Sequence, residues 1–315
     1  MIEINQITKK YGNNYACRDV SFTVKEGEIL GFLGPNGAGK STTLNILTGY
    51  ISSTEGTCKI DGVDILEDPI AAKKKIGFLP ELPPLYTDMT VKEYLNFVYD
   101  LKNCKLNRKK HLAEICSIVK IDDVYNRIIK NLSKGYRQRV GIAQALIGNP
   151  QVLIFDEPTV GLDPKQIIEI RNLIRSLGKN HTIILSTHIL SEVQAICDRI
   201  VVINKGRIIA DEKTNDISNA VNGPKRLTMN ICGPQNEVLK LLKNTEGVSY
   251  AEILGARESD SYAYLIEMKP GIDARKPIFY ALSSKSWPII GMENMGMSLE
   301  DVFISLINAS QDEKK

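Results

Sequence analysis

The feature that most constrains the fold of this chain is residues 34–41, which read Gly-Pro-Asn-Gly-Ala-Gly-Lys-Ser. This segment fits the pattern G-x-x-x-x-G-K-[ST] at every fixed position. The apolar run Ile29–Leu33 before it predicts a buried strand, and residues 42–47 after it predict a helix. Glycines let a backbone curl until several N–H groups point into one concavity, and a helix N-terminus adds partial positive charge. The strand-loop-helix unit therefore predicts a phosphate-binding loop.

Within this loop, Lys40 and Ser41 are the side chains suited to direct chemistry. The Lys40 ammonium is a compact positive charge for the outer phosphates of a nucleotide, and the Ser41 hydroxyl is a ligand for Mg²⁺. Backbone N–H groups of the loop and of the helix start supply the remaining contacts. The predicted phosphate-binding residues are Gly34, Pro35, Asn36, Gly37, Ala38, Gly39, Lys40, Ser41 and Thr42.

Further motifs follow in an order compatible with one nucleotide-binding domain. Residues 132–139 read Leu-Ser-Lys-Gly-Tyr-Arg-Gln-Arg, residues 152–158 read Val-Leu-Ile-Phe-Asp-Glu-Pro, and residues 161–164 read Gly-Leu-Asp-Pro. His188 follows a further apolar run, and Tyr11 lies ahead of the first predicted strand. Together these segments resemble the signature sequence, the second nucleotide motif and its following loop, the switch histidine and the adenine-stacking aromatic of ATP-binding cassette (ABC) ATPases. The resemblance covers about residues 1–212.

The resemblance implies ATP hydrolysis with Mg²⁺ and a role for each catalytic motif. Lys40 would hold the phosphates, Glu157 would polarise the attacking water as general base, and His188 would contact the γ-phosphate and orient that water. Ser41 and Asp156 would place the metal, with Asp156 acting through water.

The same resemblance implies that one chain does not complete the site. In this family, the helix start at the signature presents N–H groups to the γ-phosphate of ATP on the other subunit. Ser133 and Gly135 are therefore expected to contact nucleotide across a dimer, formed by two copies or with a paired ATPase subunit. Asp163, in the loop after the second motif, is also predicted to bind nucleotide, and the ring of Tyr11 is expected to stack on adenine.

Two positions depart from the usual family pattern. Lys134 stands where the signature normally has its first glycine. Glu81 follows residues 76–80, Ile-Gly-Phe-Leu-Pro, where the family usually has glutamine. A glutamate there is similar to a branch of bacterial export ATPases that carry a C-terminal extension and pair with separate permeases. Glu81 can still coordinate the metal through an oxygen, although tolerated drift is an alternative explanation.

The predicted fold class is α/β, a P-loop NTPase domain of the ABC type over residues 1–212. Its predicted strands are the apolar runs 29–33, 152–155, 183–185 and 200–203. Runs that are buried on both faces favour a mostly parallel sheet covered by helices.

A helical subdomain is expected at about residues 90–145. Thr90 and Glu93 have the spacing of a capping box at the start of its first helix. The apolar residues Tyr94, Leu95, Val98 and Leu101 then follow at helical spacing and predict a buried side.

A separate C-terminal domain is predicted beyond a linker at residues 213–225. Residues 226–310 show the order βαββαβ, which is typical of a small α+β, ferredoxin-like sandwich, and we expect an accessory or dimerisation role for it. Leu227, Met229 and Ile231 alternate as in a half-buried strand. A last helix is predicted from Ser298, with the apolar stripe Leu299, Val302, Phe303 and Leu306.

Composition restricts the compartment and the partners. Six cysteines are scattered singly without metal-ligand spacing, which favours reduced thiols in the cytosol. The net charge of +3 is too small to indicate binding to nucleic acid or to an anionic membrane. We expect no signal peptide at the N-terminus, and no apolar run approaches the ~18 residues of a membrane helix. These observations favour the cytosol, and the resemblance to ABC transporter ATPases implies a peripheral protein on the cytoplasmic face of the cell membrane.

The sequence therefore predicts the ATP-hydrolysing subunit of an ABC transporter, most simply an exporter, docked to separate transmembrane permease subunits. An importer ATPase with a ligand-sensing C-terminal domain is one alternative. A soluble ABC protein of translation or DNA repair is another, although the chain lacks a second cassette and a long coiled-coil insertion. A binding module that uses ATP only as a switch is the third, and the intact Lys40, Asp156, Glu157 and His188 disfavour it.

Overall fold

The computed structural model describes residues 1–214, 226–258, 260–269 and 271–294, and these fall into two compact units. The first unit is Met1–Thr214, and the second contains the described residues from Arg226 onward. The strands of the first unit are β1 (Ile2–Tyr11), β2 (Asn14–Val24), β3 (Ile29–Leu33), β4 (Glu55–Ile60), β5 (Val63–Asp64), β6 (Ile76–Leu79), β7 (Val152–Asp156), β8 (Thr182–Thr187), β9 (Arg199–Asn204) and β10 (Arg207–Lys213). Its α-helices are α1 (Lys40–Leu47), α2 (Pro69–Lys74), α3 (Val91–Leu101), α4 (Arg108–Val119), α5 (Lys134–Leu146), α6 (Pro164–Leu177) and α7 (Leu190–Ile196).

A six-stranded sheet in the order β10-β9-β3-β8-β7-β6 forms the centre of the first unit. The strands from β9 to β6 run parallel to their neighbours, and β10 pairs antiparallel with β9. Every residue of β3, β7 and β8 is buried, which explains why these strands are largely apolar without alternation. The predicted mostly parallel sheet is confirmed. It places the carboxyl ends of β3, β8 and β7 side by side.

A second sheet, antiparallel and in the order β2-β1-β4-β5, packs against this centre and is not predicted from the sequence. Strand β1 shifts register against both of its neighbours, and β5 has only two residues, so the alternation of apolar residues is interrupted. Phe22 from β2 stacks on Phe32 from β3 with ring centroids 5.4 Å apart. The apolar core is therefore continuous from the antiparallel sheet to the strand before the phosphate loop.

Helices α3, α4 and α5 lie between β6 and β7, as expected for a helix-rich insert. The predicted capping box is confirmed, since Thr90 accepts from the Glu93 N–H and Glu93 accepts from the Thr90 N–H. Tyr94, Leu95 and Val98 are buried, in agreement with the pattern. The expectation that Leu101 belongs to the core is wrong: it is the last residue of α3 and is 72% exposed.

The second unit contains, in its described residues, β11 (Arg226–Cys232), α8 (Gln235–Asn244), β12 (Val248–Glu258), β13 (Ser261–Met268), α9 (Arg275–Ser283) and β14 (Ile289–Asn294). This is the element order βαββαβ, and the antiparallel sheet has the order β12-β13-β11-β14. Leu227, Met229 and Ile231 lie in its buried core, as their alternation predicts.

The boundary of the first unit differs slightly from the expected one. Strand β10 continues to Lys213, which pairs with Arg199, so the chain leaves the first unit later than residue 212. Most of the predicted linker and the predicted helix from Ser298 lie outside the described residues. Within the part of the chain that the structure describes, no helix combines the length and the apolar character needed to cross a bilayer.

Candidate nucleotide-binding site

The phosphate loop joins β3 to α1, and its last turn requires glycine. Gly39 has a φ of +105°, which side chains disfavour, and a Cβ there would lie 2.5 Å from the carbonyl oxygen of Ala16. Helix α1 begins directly after it at Lys40, without a side-chain cap and without an acidic residue in its first turn. Its first N–H groups and the positive end of its dipole are therefore left for an anion.

The Lys40 side chain folds back over its own loop. Its Nζ donates to the carbonyl oxygen of Gly34 at 2.7 Å and to that of Pro35 at 3.3 Å, and it lies 3.5 Å from Oε1 of Glu157. The residue is only 6% exposed, so the ammonium depends on these acceptors instead of bulk water. A positive charge is thus held ready at the loop where the sequence predicts phosphate.

Glu157 and His188 follow the ends of the neighbouring strands β7 and β8. The Glu157 N–H donates to the carbonyl oxygen of Ser186 at 3.0 Å, and Nδ1 of His188 lies 2.9 Å from Oε2 of Glu157. Glu157 has a φ of +49°, a strained conformation for a residue with a side chain. Its carboxylate lies between an ammonium and an imidazole. A carboxylate in such a place can take a proton from a water bound beside it, which is the work of a general base.

Asp156, the residue before Glu157, has an oxygen suited to a metal. Asp156 is 4% exposed, and its Oδ1 is buried without a hydrogen-bond partner among the residues that the structure describes. Buried polar oxygens are normally paired, so an unpaired one indicates a missing donor, water or ion. Oxygen ligands from carboxylates and hydroxyls, completed by water and phosphate, are those that Mg²⁺ prefers. Asp156, the Ser41 hydroxyl and the Glu81 carboxylate therefore offer oxygen donors of the kind that this ion takes.

A cavity of about 460 Å³ collects most of the predicted site residues. Its lining is Ala16, Asn36, Gly37, Gly39, Lys40, Ser41, Thr42, Glu81, Glu157, Val160 and His188. The sequence did not single out Ala16 and Val160. Their positions in the sequence could have indicated them, because Ala16 lies on the hairpin that carries Tyr11 and Val160 lies between two motifs.

Other predicted residues lie outside this lining. The Tyr11 ring, at the end of β1, is 53% exposed, and Nζ of Lys9 lies 5.3 Å from its centroid. Gly34, Pro35, Ala38 and Asp156 belong to the surrounding loop and strand ends but do not line the cavity among the described residues.

The signature residues expected to act across a dimer, and Asp163 in the loop after the second motif, are also absent from the described lining of the cavity. Ser133 caps α5 by accepting from the Tyr136 N–H at 3.4 Å, and Asp163 caps α6 by accepting from the Gln166 N–H at 2.9 Å. The start of α5 packs on the start of α6, since a Cβ on Gly135 would lie 2.7–2.8 Å from the side-chain amide of Gln166. Among the described residues that line the cavity, none comes from these two helix starts.

Comparisons with known proteins agree with this geometry. A family model described as ABC transporter matches residues 17–160. The bacitracin transport ATP-binding protein BcrA of Bacillus licheniformis is 38% identical over 213 residues, 67% of this chain and 69% of BcrA. The Nod factor export ATP-binding protein I of Burkholderia orbicola is 31% identical over 307 residues, 97% of this chain and 96% of that protein. The dimeric structure of the ATP-binding cassette MJ0796 with ADP and Pi superposes with a TM-score of 0.62 at 30% identity, over 68% of this chain and 99% of that one.

Proposed function

The chain belongs to the ATP-binding subunits of ABC transporters and hydrolyses ATP, and on that basis we propose that it drives export as a dimer through separate permease subunits. It would do so as a peripheral protein on the cytoplasmic face of the membrane. The observation that carries the proposed chemistry is the meeting of Lys40, Glu157 and His188 beside the phosphate loop. These groups hold the phosphates and activate water, which are the two tasks of phosphoanhydride hydrolysis.

The contacts among Lys40, Glu157 and His188 indicate how the chain's own groups act on ATP. The loop N–H groups, the start of α1 and the Lys40 ammonium bind the phosphates, and a phosphate oxygen takes the place of Glu157 Oε1, which lies 3.5 Å from Nζ. Glu157 then accepts the proton of the attacking water, and His188 holds that water and the γ-phosphate in line. The barrier falls because charge develops where positive groups are already placed.

We assign the metal position to Ser41 and Asp156, with Glu81 as a further oxygen donor at the cavity. Mg²⁺ bound there would neutralise negative charge on the phosphates. Glu81 adds a negative charge where the family usually has a neutral glutamine, so it should hold a divalent cation through a carboxylate oxygen.

The proposed dimer is supported by the absence of these helix starts from the described lining of the cavity. Ser133 and Gly135 stand at the positive end of α5 but outside the lining formed by their own chain. A second copy that presents this surface to the cavity would complete the contacts to the γ-phosphate. In this arrangement each ATP is held by the phosphate loop of one subunit and the signature of the other.

Mixing two inactive variants tests the shared site. Ser133→Arg places bulk and charge on the signature surface, and Lys40→Ala removes the phosphate lysine, so neither homodimer should hydrolyse ATP. A mixture should regain part of the wild-type rate, because each heterodimer contains one site with an intact loop and an intact signature. A mixture made in the presence of the permease that never exceeds the separate variants would contradict the dimer.

The direction of transport rests on the relatives and on Glu81. The names of two relatives describe bacitracin transport and Nod factor export. The chain also has a carboxylate at the position that resembles the export branch. In proteoliposomes with the permease, export predicts that cargo moves away from the side on which the ATPase and ATP are present; movement towards that side would indicate an importer.

A groove on the first unit is the surface we assign to the permease. Its volume is about 640 Å³, and it is lined by Asn45, Thr48, Tyr50, Lys73, Ile76, Phe78, Pro80, Leu82, Pro84, Lys102 and Gln144. Tyr50 and Leu82 are 79% and 83% exposed, and they lie in the same groove as Ile76, Phe78, Pro80 and Pro84. Together these side chains form a contiguous apolar surface, which is typical of an interaction site. An apolar segment of the permease would cover them.

The groove adjoins two parts of the proposed ATP site: the segment around Glu81 and the signature helix α5. Pro80 and Leu82 line the groove, and Glu81 between them lines the nucleotide cavity. Nζ of Lys102 donates to the carbonyl oxygens of Gln144 and Ile147 at 2.9 and 3.0 Å, at the end of α5 opposite Ser133. Burial lowers the pKa of Lys102 to about 8. A segment seated in the groove thus touches the residues next to Glu81 and the far end of the signature helix.

A charge placed in the groove tests this assignment. Leu82→Asp should abolish co-purification with the permease subunit, and it should leave ATP binding by the isolated subunit unchanged. Ile118→Asp is the matched control, since Ile118 is 47% exposed on α4 and does not line the groove. Equal retention of the membrane protein by wild type and Leu82→Asp would contradict the assignment.

A further inference from the structure

We propose that Glu192 is a positioning residue for ATP hydrolysis, which sets the distance between Glu157 and His188 by binding both chain segments that carry them. The inference rests on the roles proposed above for that pair. Glu192 lies in α7 and is only 1% exposed, so it cannot touch nucleotide in the cavity. Its carboxylate is instead enclosed by the loops that follow β7 and β8.

One oxygen of the Glu192 carboxylate binds the segment that carries His188. Oε2 of Glu192 accepts a hydrogen bond from the Thr187 hydroxyl at 3.0 Å. The same hydroxyl accepts from the N–H of Ile189 at 3.1 Å. Thr187 and Ile189 are the two neighbours of His188 in the chain, so the backbone on both sides of the imidazole is tied to one buried carboxylate.

The other oxygen holds the loop of the general base. Oε1 of Glu192 accepts from the Thr159 hydroxyl at 2.6 Å, and Thr159 is 4% exposed. Thr159 follows Glu157 by two residues in the chain, and its carbonyl oxygen accepts from the Leu162 N–H at 3.2 Å. Because Glu157 has a φ of +49°, its backbone needs surrounding contacts to stay in place. The bond to Thr159 is one of those contacts.

An ion pair provides the charge balance for this carboxylate. Nη2 of Arg171 lies 3.6 Å from Oε1 of Glu192, and Arg171 belongs to α6, the helix capped by Asp163. A buried carboxylate is tolerated when it is paired and hydrogen-bonded. Glu192 therefore joins three segments: the β7 loop, the β8 loop and α6. Each of them carries a residue of the proposed site.

Threonine-to-valine changes remove a hydroxyl but keep the shape of the side chain. They therefore distinguish a positioning effect on turnover from a general loss of stability. Thr159→Val and Thr187→Val each remove one bond to Glu192, and Thr159→Ser and Thr187→Ser retain the hydroxyl. We expect kcat to fall about 10- to 100-fold in the valine variants, the order of loss that a misplacement near 1 Å produces. KM for ATP should stay within about 3-fold of wild type, because the phosphate loop is untouched, and the serine variants should recover most of kcat.

A combined variant and a parallel control complete the test. If the carboxylate and the two hydroxyls act as one unit, Glu192→Ala combined with both valine changes should lose no more than about 3-fold beyond Glu192→Ala alone. Equal losses in the serine and valine variants, or kcat and KM changing together, would overturn the positioning role. Glu157→Gln, measured in parallel, distinguishes a failure of the positioning role from a failure of the catalytic roles proposed for Glu157 and His188. If it is inactive while the valine variants keep wild-type kcat, the positioning role alone is wrong; if it is fully active, the roles proposed for the pair are wrong.

Discussion

Substitution of one glycine in the central sheet should disturb both stability and turnover. Gly31 lies in β3, and a Cβ at this position would overlap Cγ1 of Val193 on α7 and approach Cβ of Val193 to 3.3 Å and Sγ of Cys197 to 3.2 Å. Carbon atoms pack best at about 3.5–4.0 Å. Val193 is fully buried, so the clash cannot be relieved by a side chain that swings into solvent. Gly31→Ala must therefore push α7 away from β3.

The expected size of the effect follows from the cost of overpacking. A single added methyl group in a closed core destabilises by about 1–3 kcal/mol. Because α7 also carries Glu192, its displacement should lower kcat for ATP as well as the free energy of unfolding. Urea denaturation and a steady-state ATPase assay measure the two effects on the same preparation.

A second substitution makes this reasoning refutable. Val193→Ala removes Cγ1, the atom that overlaps the new methyl group. The double variant should therefore be more stable than the sum of the single effects predicts, with an interaction energy of roughly 1–2 kcal/mol. Additive effects within about 0.5 kcal/mol would show that the two side chains do not collide, and the close packing of β3 on α7 would be refuted.

Three further predictions concern separate regions. Tyr11→Ala should weaken ATP binding about 5- to 150-fold in a calorimetric titration, since stacking on a base contributes ~1–3 kcal/mol, while kcat at saturating ATP stays near wild type. Burial lowers the pKa of His111 below its ordinary 6.5, and Nε2 accepts from the Gly148 N–H at 3.0 Å. As the pH falls, His111 therefore takes up its proton at a higher pH in the unfolded chain than in the folded chain. The free energy of unfolding should fall as the pH drops below 6.5 towards the lower pKa of His111 in the folded chain. His111→Asn should reduce this loss of stability in thermal melts. Truncation after Lys225 should keep ATP binding but weaken nucleotide-free dimerisation in analytical ultracentrifugation.

The parts of the fold that could be predicted from the sequence depend on local patterns. Strand β3 coincides with the apolar run before the phosphate loop, because a strand that is buried on both faces is a continuous run of apolar residues. The capping box at Thr90 and Glu93 was visible because both partners lie within one helical turn. The residues of the phosphate loop were visible because their conformation requires glycine at fixed positions.

The parts that could not be predicted depend on contacts between distant segments. The antiparallel sheet could not be predicted because the register shifts in β1 interrupt the alternation of apolar and polar residues. Glu192 has no motif around it, and its role appears only when Thr159 and Thr187 are brought to its two oxygens. The burial of a helix residue such as Leu101 depends on where the helix ends, which its spacing alone does not reveal.

The most direct test of the account is the steady-state ATPase rate of Glu157→Gln at saturating Mg-ATP, measured beside wild type. The substitution keeps the size of the side chain between Lys40 and His188 and removes its ability to act as a base. We predict near-wild-type ATP affinity, turnover reduced about 10²- to 10⁴-fold, and a dimer that persists in ATP because its sites do not reset. Turnover near the wild-type rate would contradict the assignment of Glu157 as the base, and with it the proposed mechanism.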